Sequence, residues 1–86
     1  MKVTKKNGNV VLYDDEKVIN SILKANAETT ESLNRKTASV IADEVFTHLT
    51  EKSEIIRTED VRECVVARLK EKGFVQTAEK YLAYKK

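Results

Sequence analysis

The chain has 86 residues, 41% hydrophobic and 35% charged, which is the balance of one soluble globular domain with a modest core and excludes a disordered chain. A formal charge of +2 is too small to argue for nucleic acid by itself, and a single cysteine excludes an internal disulfide or a cysteine-rich zinc site. With no proline and two glycines, little punctuation is available, and most of the chain is expected to be helical.

Lys2 to Lys5 and Val10 to Tyr13 read as two short strands. The "NGN" between them is a hairpin signal, because Asn-Gly accepts the positive φ of a tight primed turn. A two-stranded hairpin, here about residues 2–13, is marginal alone and needs support. Asp14 is a good N-cap, with Asp15 and Glu16 suited to the positive end of a helix dipole. Val18, Ile19, Ile22 and Leu23 follow with helical spacing, so the first helix is expected over about 15–27. "NAETTESLN" reads as a linker. A second helix, about 35–51, carries Ala38, Ile41, Ala42, Val45, Phe46 and Leu49 on one apolar face, and "EKSE" breaks it.

Ile55 and Ile56 lead to Thr58, which reads as the next N-cap, with Glu59 and Asp60 in the first turn of a helix over about 59–72. Val61, Cys64, Val65 and Leu69 line its inner face. Gly73 followed by Phe74 resembles a Schellman stop. A last helix over about 76–84 carries Ala78, Tyr81 and Leu82. The expected fold is α+β, mostly α: an N-terminal β-hairpin packed on a bundle of four helices, as one domain over 1–86.

Catalytic signatures are missing. Two glycines cannot write a Walker loop or a Rossmann fingerprint, and His48 alone cannot build a histidine metal site. His48 reads as an exposed helix residue and Cys64 as a small core hydrophobe. The acid pairs Asp14-Asp15 and Glu59-Asp60 stand at helix starts, where capping explains them. No apolar run reaches the length of a membrane span, and the N-terminus lacks a signal-peptide core. The expectation is therefore a non-enzymatic, cytoplasmic protein without catalytic residues or a metal site.

The lysines of the turn leave two readings open. Lys2, Lys5 and Lys6 precede any acid, and Lys17 lies one turn into the first helix, so the ammonium groups can converge on a polyphosphate. Alternatively, they are a solvated edge that discourages strand-to-strand aggregation. Alternation sends Val3 and Lys5 one way and Lys6 the other, so all converge only if the turn twists them together.

Taken together, "VTKKNG", "YDDEKV" and "GFVQTAEKYLAYK" resemble, in order and spacing, the ATP-cone domain. The resemblance covers essentially the whole chain. Such domains occur in ribonucleotide reductases and their transcriptional repressor and bind ATP or dATP as an allosteric signal. The resemblance implies that Val3, Lys5 and Lys6 belong to the nucleotide-binding strand and turn, the two lysines facing phosphate. Lys17 matches a phosphate or ribose contact. Val11, Asp14 and Val18 fall at the adenine pocket, where Asp14 can accept from the exocyclic amine. Thr58 matches a polar residue at the third helix start, and Arg62, one turn on, faces ribose or phosphate.

Three departures from the family pattern stand out. Lys6 replaces an arginine, giving a point charge instead of a planar fork. Asn7 replaces an aspartate and removes local negative charge. Tyr13 replaces a phenylalanine and adds a hydroxyl that needs a partner. Nothing in the chain matches a reductase catalytic core or the repressor's zinc module, so the resemblance implies an excised regulatory domain or a stand-alone protein that contacts something larger.

The implied function is an allosteric ATP or dATP module controlling a larger reductase or related partner, with magnesium allowed alongside the nucleotide. Self-association is a further expectation, with Val40, Val66 and Tyr84 as apolar residues off their main stripes. The alternatives are a helical interaction domain without nucleotide, or a weak nucleic-acid binder using the hairpin and Lys85-Lys86. The last lacks an aromatic stacking platform or a recognition helix, so no direct contact with nucleic acid is expected.

Overall fold

The computed structural model describes residues 1–52 and 55–83. Strands β1 (Lys2–Thr4) and β2 (Val10–Leu12) precede helices α1 (Asp15–Asn26) and α2 (Arg35–Lys52). A two-residue strand β3 (Ile56–Arg57) then leads into α3 (Thr58–Glu71) and α4 (Val75–Ala83). The α+β, mostly α class expected from the sequence is the observed one. Tyr84, Lys85, Lys86 and the "SE" of the helix-breaking "EKSE" lie outside the described residues.

The hairpin turn differs in kind from the expected one. Gly8 has φ +89°, whereas no described non-glycine residue has positive φ, so Asn7 does not take the primed conformation. Gly8 N–H donates to the Lys5 carbonyl at 2.9 Å, and Lys5 N–H donates to the Asn9 carbonyl at 2.7 Å. This is a three-residue loop closed by a left-handed glycine. It places Lys6 in the loop rather than at a strand position.

The sheet is also larger than the sequence suggests. Its order is β2-β1-β3, with Val3 paired antiparallel to Val11 and parallel to Ile56. Val3 and Ile56 are both buried, and they pin the sheet to the helices.

Local chemistry explains most helix ends. The Asp14 carboxylate accepts from the Glu16 and Lys17 amides at 3.0 and 3.4 Å, as an N-cap should. Asn34 caps α2 through the Thr37 amide at 2.8 Å. At α3 the cap lies one residue before the expected Thr58: Arg57 holds the extended cap conformation, and its N–H donates to the Asp60 carboxylate at 2.9 Å. Thr58 is thus the first helical residue. The stop after α3 is a Schellman motif, with Gly73 at φ +89°, Phe74 N–H on the Leu69 carbonyl at 2.8 Å and Gly73 N–H on the Lys70 carbonyl at 3.1 Å.

Ile22, Ile41, Val45, Val65 and Leu69 are fully buried where the helices meet, each worth about 1.5–3 kcal/mol of burial. Two expectations need correction. Val66 is buried rather than off the stripe, because α3 packs on both α2 and α4 and needs a wider apolar arc. Phe46 is partly exposed at the edge of the α2 face, its ring 5.5 Å from Tyr13.

The "NAETTESLN" segment does more than link. The Glu31 carboxylate accepts from the Gln76 amide at 2.9 Å and from the Thr77 amide and hydroxyl, each at 2.8 Å. Asn26 Nδ2 donates to Thr77 Oγ1 at 3.1 Å. Thr77 is fully buried, and this network satisfies it while fastening the start of α4 to the end of α1.

Candidate functional site

A cleft of ≈ 220 Å³ opens between the hairpin and the starts of α1 and α3. Val3, Val18 and Val61 form its apolar floor, and Val11, Leu12 and Tyr13 bring one wall from the hairpin. Lys5, Asp14, Lys17 and Thr58 supply the polar groups. The structure therefore gathers Val3, Lys5, Val11, Asp14, Lys17, Val18 and Thr58 around one space. Lys6 and Arg62 are not part of the lining: Lys6 sits exposed on the loop, and Arg62 is close enough to act on the Tyr81 hydroxyl.

Each lining residue is placed by an identifiable local cause. Alternation along β1, carried one residue past its end, sends Val3 and Lys5 to the cleft side of the sheet, and the antiparallel register sets Val11 beside Val3. Lys17 lies in the first turn of α1, after the Asp14 cap. Both capping bonds use the same Asp14 oxygen, Oδ1, so Oδ2 is left to accept from something else. Thr58 opens α3, and its hydroxyl reaches the Thr4 carbonyl at 3.4 Å.

The electrostatics favour an anion at the rim. Lys5 and Lys17 are exposed and take part in no ion pair among the described residues. Two helix N-termini, those of α1 and α3, add their partial positive charge to the same side. The triad of a nucleophile, base and orienting group is not assembled by the lining residues.

Leu12, Tyr13 and Val61 were not among the site residues expected from the sequence, although Tyr13 was noted for its hydroxyl and Val61 as an inner-face residue. Tyr13 closes the cleft wall and donates its hydroxyl to the Ala42 carbonyl at 2.9 Å, tying the hairpin to α2. Burial, helped by the negative charge of Asp15, pushes that hydroxyl well above the ordinary phenol range, so it stays a neutral donor. Its signal was the aromatic directly before the Asp14 cap. Val61 follows Thr58 by one helical turn, which was the signal for it.

A larger groove of ≈ 430 Å³ runs between α2 and α3 past His48, Lys52, Cys64 and Arg68. Its cations are interspersed with Asp60, Glu63 and Glu71, and Arg68 is paired with Glu71 at 3.1 Å. Burial pushes the Cys64 thiol up, away from a reactive thiolate. Among the described residues, no group of three or more His, Cys, Asp and Glu side chains is placed to hold a metal ion. No helix among them is long and apolar enough to cross a membrane.

The cleft is valine-lined, with two lysines and two helix starts at its rim. The ATP cone domain family matches residues 1–86, the whole chain, and the chain belongs to that family. No curated protein sequence matches it. An ATP cone is a nucleotide-sensing allosteric module that takes ATP or dATP, a regulatory rather than a catalytic domain.

Proposed function

We propose that this chain senses ATP and dATP in the cleft between the hairpin and the starts of α1 and α3. The observation that carries the reading is that Lys5 and Lys17, from separate elements, meet at the rim of one apolar cleft. Clefts that enclose a drug-sized ligand span about 300–1,000 Å³. At ≈ 220 Å³ this one suits the adenosine part of a nucleotide, with the phosphates outside against the lysines. Adenine lies between Val11 and Val18, and Asp14 Oδ2 accepts from its exocyclic amine. Thr58 stands near the ribose, where ATP and dATP differ. Lys6 faces the phosphates from further out on the loop, and Arg62 likewise adds longer-range positive charge. Magnesium travels on the phosphates, since Asp14 is the sole carboxylate of the lining.

The signal goes to a larger partner in the cytoplasm, a ribonucleotide reductase or a related protein, which the family likeness supports. Two ligands carry information only if they favour different states of the protein, so ATP and dATP must differ in how they set the hairpin. Calorimetric titration with ATP, dATP, GTP and a short DNA duplex tests the reading. Saturable binding of ATP and dATP alone supports it. Equal, weak binding of every polyanion reduces the site to a basic patch, and no heat with any of them leaves a helical interaction domain.

A further inference from the structure

Among the described residues the sheet has an open edge at β2. β2 is an outer strand in the order β2-β1-β3. Val11 pairs with Val3, the Tyr13 amide donates to the Met1 carbonyl at 2.8 Å, and the Lys5 amide donates to the Asn9 carbonyl at 2.7 Å. These contacts turn the backbone groups of Asn9, Val11 and Tyr13 toward β1. By alternation, the N–H and C=O of Val10 and Leu12 point to the free edge. The segment Val10–Leu12 has none of the lysine, proline or glycine that usually blunts such an edge. Val10 and Leu12 are 57% and 71% exposed.

The two ends of β2 carry opposite charge. The loop with Lys5 and Lys6 lies at its start, and Asp14, Asp15 and Glu16 follow its end; Glu16 is engaged by Arg35 and Lys17 comes next, so Asp14 and Asp15 are the acids that face a second copy's loop. Parallel pairing of two β2 strands would stack like charge on like. Antiparallel pairing sets each cationic loop beside the acidic helix start of the other copy, twice over. The edge is thus complementary to itself, and we infer that the chain forms a two-fold dimer in which β2 pairs antiparallel with β2 of a second copy.

One register satisfies the open edge. Val10 exchanges backbone bonds with the second copy's Leu12, and the two Val11 residues meet on the two-fold axis. That central pair is not hydrogen-bonded, so its Cβ atoms lie about 4.5–5.5 Å apart. The contact is short, well under the ~1,200 Å² of a stable interface, and the dimer is correspondingly weak. Its charged contacts are exposed, so salt loosens it. The inference does not depend on what occupies the cleft.

Sedimentation equilibrium of the nucleotide-free chain, from micromolar to millimolar protein, tests it. The average mass should climb from monomer toward dimer. Leu12→Pro, which removes an outward N–H, and Lys6→Glu should each weaken association about tenfold or more. If circular dichroism finds Leu12→Pro misfolded, Val10→Lys, which only adds charge to an exposed edge position, replaces it with the same expectation. As a position-specific readout, Val11→Cys in a Cys64→Ala background should form a disulfide-linked dimer with oxidised glutathione, and the exposed Glu79→Cys should not. A chain that stays monomeric at millimolar concentration overturns the inference. So does a dimer indifferent to the edge substitutions, or cross-linking as efficient at Glu79→Cys as at Val11→Cys.

Discussion

Lys5 and Lys17 present ammonium groups to one rim without competing ion pairs among the described residues, so each is available to an anion. A hydrogen bond from a charged group is worth about 1.5–3 kcal/mol, or roughly a factor of ten to a hundred and fifty in affinity. Lys5→Ala and Lys17→Ala should therefore each weaken ATP binding at least about tenfold by calorimetry, with circular dichroism unchanged. Lys6→Ala, lost from the exposed loop, should cost under about threefold, because a more distant and solvated charge is screened. Tyr13 offers a test of the link between hairpin and α2. Tyr13→Phe keeps the ring against Phe46 but removes the hydrogen bond to the Ala42 carbonyl, which should lower stability by about 1 kcal/mol in urea unfolding. Alternation and helix spacing allowed Lys5 and Lys17 to converge but left a solvated edge equally open, and only the resemblance to the ATP-cone family singled them out. Lys6, which the family resemblance set beside Lys5 and which alternation turned the other way, lies outside the lining, because a three-residue loop with Gly8 in the left-handed region carries it off the strand.

At the scale of elements, features fixed by neighbours in sequence were legible and those fixed by distant partners were not. The Asp14 cap and the Gly73-Phe74 stop involve residues a turn apart, and both formed as read. β3 has two residues, too few for any period, and becomes a strand only by pairing with β1 at the far end of the chain. The Glu31 clamp on α4 is equally non-local. Burial works to raise the Glu31 carboxyl, but hydrogen bonds from the Gln76 and Thr77 amides and the Thr77 hydroxyl outweigh it and hold the group below its usual 4.5. A carboxylate lowered by folding stabilises fully above its unfolded value, and that contribution is lost as pH falls through the folded one. Glu31→Gln should therefore lower the melting temperature at neutral pH and flatten the acid side of the stability profile. Asp15 works in the opposite sense: burial, then Asp43 and Asp14, raise its carboxyl, so its contribution declines as pH rises from 3.8 through the folded value. Urea midpoints of wild type and Glu31→Gln across the acid range separate the two. Gly73→Ala isolates backbone strain. A Cβ there meets nothing within 4 Å, so the cost of about 1–2 kcal/mol should come from φ +89° alone.

Over the whole molecule, the cleft exists because the hairpin, α1 and α3 converge, and no single segment contains it. Leu12, Tyr13 and Val61 joined the lining for that reason, since docking of the hairpin over the start of α3 is a tertiary event. The helix bundle beneath is held by its own core, so ligand binding adds to an already folded state. ATP at a hundred times its dissociation constant should stabilise the fold by about 2.7 kcal/mol, read as a rise in melting temperature that GTP does not match. The most direct test of where the nucleotide sits is an amide chemical-shift titration of the isotopically labelled chain with ATP. The account predicts the largest shifts at Lys5, Val11, Lys17 and Thr58, with His48 and Arg68 in the groove between α2 and α3 unmoved. Shifts centred on that groove, or spread thinly over every lysine, would contradict it.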